Sequence, residues 1–492
     1  MAERFRQKLQ PRGMLAEQGA LAHDLLTRSW RYLPMIDFRP AATLRNRLWF
    51  SLFSVATLLG GCSSTASPGE PGGAGGSSPG GDGGGAGGGS GMVDGGGSGG
   101  EDGGPPIIDR PPLDAYACSV TRSMTKLGVE NWTSPALLPT QQGGLLARVA
   151  GQTTSVLSWS TVLTNGTLGA AKTVYEGGSN FIHGLSVAGS GERYTLVWSR
   201  SIDGRVYSAE GLYSAQVDGS GSIVSAAREI VSGGSRNDQA HLVVSSSGYA
   251  LTWLQTTGSQ SQLRFALLDA SGALSGASLV LREGNLNLSS LLAVDGGYLL
   301  TYHAYSGGKS RPYLLALDAA GKPFQDPLQL SPDGYGGSLI RRGEEVLAAW
   351  SENQGSQVDQ QRATILRLGR FDQKGNPLGP SAPLQAPILN RANNDARWIA
   401  LGNDVGLVWA EGKIIYICAG CFPDNHLKFA IFDGANFTRK SDVLDLPSPV
   451  TAGLTDPQIV GAASDLLLVS SITYHVSAEG ASATIACPER AK

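Results

Sequence analysis

No apolar stretch of this chain reaches the roughly 20 residues that a transmembrane helix requires. The longest, Leu48 to Leu59, is about 12 residues and disfavours a permanent span. Charge is scarce as well: 16% of residues are Asp, Glu, Lys or Arg, against roughly 25% in ordinary soluble domains. The formal net charge of -3 and pI near 6.1 leave no broad basic surface for phosphates, so nucleic acid is excluded as a partner. There are 6 histidines; His183, His241, His303, His426 and His475 fall at different positions of their local patterns, whereas a metal centre needs several that converge. Neither metal nor cofactor is implied. A sustained 3.6-residue apolar period is also missing, which argues against solvated helices.

Glycine, by contrast, is abundant, with 68 in 492 residues, concentrated in a segment that cannot bury a core. From Ser63 to Gly104 the chain is Gly, Ser and Pro with almost no apolar side chain, the composition of a flexible tether. About 45 such residues reach roughly 35–40 Å r.m.s., enough to hold a folded domain clear of a membrane surface. The organisation is therefore 1–61 as an N-terminal extension and export signal, 62–110 as tether, and 111–492 as one folded domain.

The export signal has the expected order: Arg39, Arg45 and Arg47 ahead of the apolar run, then small residues at a cleavage point. Residues 1–34 fit poorly ahead of it, so translation is expected to start at Met35 or Met14. Leu59-Gly60-Gly61-Cys62 resembles the lipobox of Gram-negative bacterial lipoproteins. That resemblance implies lipidation of Cys62, an anchor in the cell envelope, and, with Ser63 following the cysteine, sorting to the outer membrane. Without a lipid, the segment is an ordinary secretory signal and Cys62 a chance thiol.

Beyond about residue 130 a unit of about 50 residues recurs, the mark of a propeller or solenoid. An apolar strand is followed by a second that ends on an aromatic, with Trp159, Trp198, Trp253, Tyr302, Trp350 and Trp409 assigned to that position; Leu466 to Ser471 is a seventh, without the aromatic. Third strands close on Val217-Asp218, Leu268-Asp269, Leu317-Asp318, Phe371-Asp372 and Phe432-Asp433, with Gly221, Gly272, Gly321 and Gly375 three residues after Asp, suited to a tight hairpin. Alternation has period two. The fold class is all-β, a β-propeller of seven four-stranded blades, with six as the alternative. The aromatics are expected to fill the spaces between blades rather than to stack sugars.

Setting Cys62 aside, Cys118, Cys418, Cys421 and Cys487 remain. Cys118 lies in the first strand-like segment and Cys487 in the last, so a bridge between them would close the ring. Cys418-Ala419-Gly420-Cys421 would then form a local bridge; a metal or redox role is the alternative, with His426 the only nearby third ligand.

No catalytic residue is identified. A G-x-S-x-G turn has no strand-helix context here, and neither the S-x-D-x-G-x-T-W box of sialidases nor a trio of arginines at equivalent positions is evident. Polar residues do recur where first strands begin: Asn180 and His183, Asp238 and His241, Asp395 and Arg397, and Asp456. In a propeller these would converge at one mouth of the channel as a ligand site; the alternative is that they cap local turns. The function expected is a binding or scaffold module for an envelope protein or extracellular polysaccharide, held to the membrane by its N-terminal lipid. An enzyme acting on glycans or small envelope substrates is the alternative.

Overall fold

The computed structural model describes residues 106–490 apart from 110–111, 132–134, 141–142, 151–154, 191, 202–209, 234, 355–362, 389–390, 414–425, 450–452 and 474–477. The signal, Cys62, the expected tether up to residue 105 and the Cys418/Cys421 pair lie outside the described residues, whereas Ile107, near the end of that segment, is buried in a core cluster.

Strands account for most of the described chain, with a single turn of 3-10 helix at Ile107–Asp109 and no α-helix among the described residues. The first sheet is β2 (Ala136–Thr140), β3 (Gly143–Ala150), β4 (Ser155–Leu163) and β5 (Lys172–Gly178). The second is β6 (Ile182–Ser190), β7 (Arg193–Ser201), β8 (Glu210–Val217) and β9 (Ile223–Val231). The third is β10 (Arg236–Ser245), β11 (Gly248–Thr257), β12 (Gln260–Leu268) and β13 (Leu279–Gly284), and the fourth β14 (Leu286–Val294), β15 (Gly297–Ser306), β16 (Lys309–Asp318) and β17 (Leu328–Gln329). Then come β18 (Gly334–Arg342), β19 (Glu345–Gln354), β20 (Ala363–Asp372), β21 (Ala382–Pro383), β22 (Arg391–Leu401), β23 (Asp404–Lys413), β24 (His426–Asp433) and β25 (Leu444–Leu446), all in one sheet. The last sheet is β26 (Gly453–Ala462), β27 (Asp465–Thr473), β28 (Ala478–Ala486) and, from the other end of the chain, β1 (Ser119–Asn131).

Two local rules make these sheets. Third strands turn on an aspartate: Asp318 Oδ1 accepts the amides of Ala320 at 2.9 Å and Lys322 at 2.8 Å, and Asp218, Asp269 and Asp372 do the same two and four residues on. Gly221, Gly272, Gly321 and Gly375 supply the positive φ that completes each turn, at 79° to 83°. Second strands are buried on both faces, as in Tyr249–Leu254 and Val346–Ser351, because each sheet is covered on both sides by its neighbours. The core is accordingly a set of apolar seams rather than one centre. Trp198, Trp253, Trp350 and Trp409 fill those seams and are almost fully buried, the role expected of them. Trp159 also fills a seam, but from β4, the third strand of its sheet rather than the second. The alternation of the first unit, which begins on the short β2, hid that shift.

The sheets form a propeller arrangement in which each first strand packs beside the next, from β2 through β6, β10, β14, β18, β22 and β26 and back to β2. The expected seven separate four-stranded blades need correction: five sheets are separate and four-stranded, and the remaining eight strands form one sheet. A single parallel pairing, Thr364 with Ala392, joins β20 to β22; β21 is only 2 residues long and leaves that stretch of the β20 edge open. Closure is by β1, which pairs antiparallel with β28. Cys118 and Cys487 are disulfide-bonded just before β1 and just after β28, as the spacing of the cysteines implied.

Candidate functional site at the channel mouth

Six of the seven first strands break register near their starts. In β6, β10, β22 and β26 two residues face one of the second strand: Gly184-Leu185, Gln239-Ala240, Asp395-Ala396 and Asp456-Pro457 lie opposite Trp198, Trp253, Trp409 and Ser470. In β14 and β18 the extra residue is Ser289 and Gly336. Such bulges redirect a side chain out of the pleat. Gly184, Gln239, Asp395 and Asp456 all have positive φ, between 49° and 60°, a conformation that costs a non-glycine residue free energy and persists only where neighbours enforce it. First strands in a propeller run the same way, so the bulges gather at one end of the channel.

The neighbours that enforce them are the next bulges. Gln239 Nε2 donates to Asn287 Oδ1 at 2.8 Å and its Oε1 accepts the Leu288 amide at 2.8 Å, bridging β10 to β14. Ser289 lies against Gly336 so closely that a Cβ there would overlap its hydroxyl, so β18 needs glycine at this position. Asp395 accepts a hydrogen bond from the Asp456 amide, bridging β22 to β26.

Between β6 and β10 the link is ionic. His183 Nδ1 is 3.2 Å from Asp238 Oδ1 and its Nε2 is 2.9 Å from Glu210 Oε1, and both carboxylates hydrogen-bond the ring. Arg236 pairs with Asp238 and lies 4.0 Å from Glu210. Glu210 is fully buried. Burial alone would favour neutral imidazole, but the two carboxylates outweigh it and push His183 up to about 9, so it is imidazolium at neutral pH. Against its own burial, Asp238 is held well below the usual carboxylate range by His183 and Arg236. Two carboxylates and two cations thus form a neutral, closed set.

Across the ring the balance differs. Asp395 is raised to about 6, first by burial and then by the charge of Asp456, with Arg397 opposing. His241 is pushed down to about 4 by burial, with Arg397 adding repulsion, and is therefore neutral at pH 7. Asn180 lies in the turn before β6, where its backbone amide closes onto Gly177 O at 3.1 Å. His183, Asp238, His241, Asp395, Arg397 and Asp456 are carried by the first strands themselves, all six at or beside a bulge. Asn237 and Asn393, by contrast, hold the frame: Asn237 donates to Glu210 O at 2.6 Å and accepts from Trp253 Nε1 at 3.1 Å, and Asn393 donates to Thr364 O at 3.0 Å.

On one sector of the rim the side chains are aromatic. Tyr335, just before the β18 bulge, and Tyr305, near the end of β15, are 40% and 39% exposed, and each meets the His303 ring edge-on, at 5.8 and 5.3 Å. Tyr305 hydrogen-bonds Asn287 and Ser310, which ties this pair to the bulge of β14. Burial pushes His303 down to about 4, and its Nδ1 accepts the Gly336 amide at 3.2 Å. The neutral ring therefore carries its proton on Nε2 and can donate there.

No protein-family model matches the chain, and no curated protein does. Among solved structures it is similar to the parainfluenza virus 5 hemagglutinin-neuraminidase ectodomain, at 8% identity and TM-score 0.41 over 62% of this chain and 81% of that one. It is similar also to Trypanosoma rangeli sialidase, at 7% identity and TM-score 0.40 over 74% and 60%, and to prolyl oligopeptidase B from Galerina marginata, at 12% and 0.36 over 58% and 39%. Likeness at this level does not extend to a shared function.

Sequence reading missed Glu210, Arg236, Tyr305 and Tyr335. Tyr335 stands one residue before the bulge of its strand, but Gly334, Gly336 and Gly337 around it erase the Asn/Asp pattern that marked the other units. Glu210 opens a third strand and carried no signal at all.

Proposed function

We propose that the chain is a lipid-anchored cell-envelope protein, tethered through Cys62 and sorted to the outer membrane, whose propeller binds an extracellular polysaccharide at the bulged mouth of its channel. The eight-stranded sheet serves in this reading as two radial units, giving seven around the axis. An apolar seam runs between its halves, with Leu347, Leu366 and Leu368 against Leu407 and Trp409, like the seams between the separate sheets.

One observation carries the ligand class. Two exposed tyrosines stand at the rim beside polar groups already fixed by neighbouring bulges: Gln239, Asn287 and the Nε2–H of His303. Flat apolar faces next to rigid donors and acceptors are what a sugar ring and its hydroxyls require. Tyr335→Ala is expected to weaken binding of a retained oligosaccharide by about tenfold, or roughly 1.4 kcal/mol, with melting unchanged. Calorimetric titration after a glycan-array screen checks this; equal affinity in the variant removes the tyrosine platform from the site.

A second reading, hydrolysis of a glycan, is favoured by the Asp395–Asp456 pair. A carboxyl held protonated to about pH 6 beside a second carboxylate is the acid-base arrangement glycoside cleavage uses. Asp395→Asn should then lower turnover at least about a hundredfold with the fold intact. If wild-type protein cleaves no bound oligosaccharide between pH 4 and 8, binding alone remains.

A further inference from the structure

The seam between the first and last sheets is apolar at its floor, where Leu137, Leu146 and Val162 meet Val460, Leu467 and Val469. Toward the bulged end the same faces turn polar. On β3, Arg148 follows Leu146 on the face that looks into the seam; Ser158 stands opposite Arg148 on β4, and Ser160 opposite Leu146. On β27, Ser471 continues the face of Leu467 and Val469 and pairs with Thr455, next to the Asp456 bulge. This polar end of the seam, the slot, therefore lies at the height of the mouth.

Among the described residues no carboxylate answers the charge placed there. Arg148 is 9% exposed. Its Nε, and the hydroxyls of Ser158, Ser160 and Ser471, are buried without a hydrogen-bond partner among the described residues. Desolvation by burial disfavours the charge on its guanidinium, and no carboxylate among the described residues offsets it. Arg236, Arg341, Arg367, Arg370 and Arg391 each have a carboxylate partner. A buried cation with an unsatisfied hydroxyl opposite it, in a seam that holds two more, is costly to keep empty and complementary to an oxyanion, since guanidinium and hydroxyl groups both donate.

We propose that this slot is an oxyanion site and that Arg148 holds an acidic group, carboxylate, sulfate or phosphate, of the ligand at the mouth. This rests on the polysaccharide reading and narrows its ligand to an anionic polymer. The guanidinium fork grips two oxygens of the group, and Ser158, opposite on β4, donates to it.

The test titrates the full chain in detergent micelles with an oligogalacturonate, with its neutral methyl ester, and with inorganic phosphate as competitor. The acid is expected to bind at least about tenfold tighter than the ester, with the difference lost in Arg148→Gln and reduced in Arg148→Lys, which keeps the charge but not the fork. Ser158→Ala, which leaves the charge in place, should weaken the acid alone; it serves as the test if Arg148→Gln fails to fold. Competition by phosphate assigns the site to oxyanions in general, and its absence to the sugar carboxylate; either supports the site. Equal binding of acid and ester, unchanged in Arg148→Gln, overturns the oxyanion site while leaving polysaccharide binding in place. Binding of neither sugar, with no effect of phosphate on melting, overturns both.

Discussion

His183→Ala is expected to destabilise the propeller by about 3–5 kcal/mol, the cost of stranding buried charge when one partner of an ion pair is removed. Its ring lies between Asp238 and the fully buried Glu210, and without it Arg236 alone faces two carboxylates. Glu210 is itself fully buried, and Asn237 holds its strand in place by donating to its backbone carbonyl and accepting from Trp253. The pH dependence carries its own signature. The folded-state value of about 9 lies above the ordinary 6.5, so the stabilisation is complete below about pH 6.5 and is lost as pH rises through 9. Asp395, also raised, to about 6 from 3.8, favours the folded state most below pH 4, and that advantage is lost by pH 6. Asp238, held low, gives stability that disappears as pH falls below the usual carboxylate range. Urea unfolding of wild type should therefore weaken between pH 7 and 9, and His183→Ala should flatten that slope. An unchanged slope in the variant would show that His183 is not the group responsible.

Cys118→Ser with Cys487→Ser is expected to cost about 2–5 kcal/mol. The bridge spans a sequence separation of 369, so in the unfolded chain it closes nearly the whole domain into a loop. In the folded chain it fastens β1 as the outer strand of the last sheet, a strand otherwise held by its ladder to β28 and by contacts such as Arg122 Nη2 to Ser482 Oγ at 2.9 Å. Losing β1 would uncover the β28 edge, and free edges invite association between chains. Denaturant midpoints of oxidised wild type, reduced wild type and the double variant give the measurement. Reduced wild type and the double variant measured under the same reducing conditions should coincide below the first, and the double variant should aggregate on heating. If all three share one midpoint, the strand ladder alone closes the ring.

Much of this architecture is legible in one dimension because the forces behind it are local. An aspartate that caps its own turn two and four residues on, followed by a glycine able to take positive φ, identifies a third strand wherever it occurs, and period-two alternation identifies the strands between. The large aromatics could be assigned to the seams because no other position buries so much area. The first and last strand segments of the domain carry one cysteine each, and a ring brings these segments together.

Other features depend on residues brought together from distant parts of the chain. The joining of β20 to β22 turns on one parallel pair at an edge that a 2-residue strand leaves open, and no local rule anticipates it. The bulges look like ordinary polar starts to strands until the neighbouring strand is in place, since Gln239 is held in its conformation by Asn287 and Leu288 of the next sheet. Glu210 has no motif, yet it fixes the charge of His183; Arg148 reads as one residue in an apolar strand, yet its isolation between two sheets is what makes it a ligand group. Sequence alone determined the all-β repeat, its turns and its closing cysteines, because turn chemistry and alternation act over a few residues. Only the tertiary structure decided which charges are paired and which are left for a ligand, because burial and electrostatic pairing are set by neighbours from other sheets.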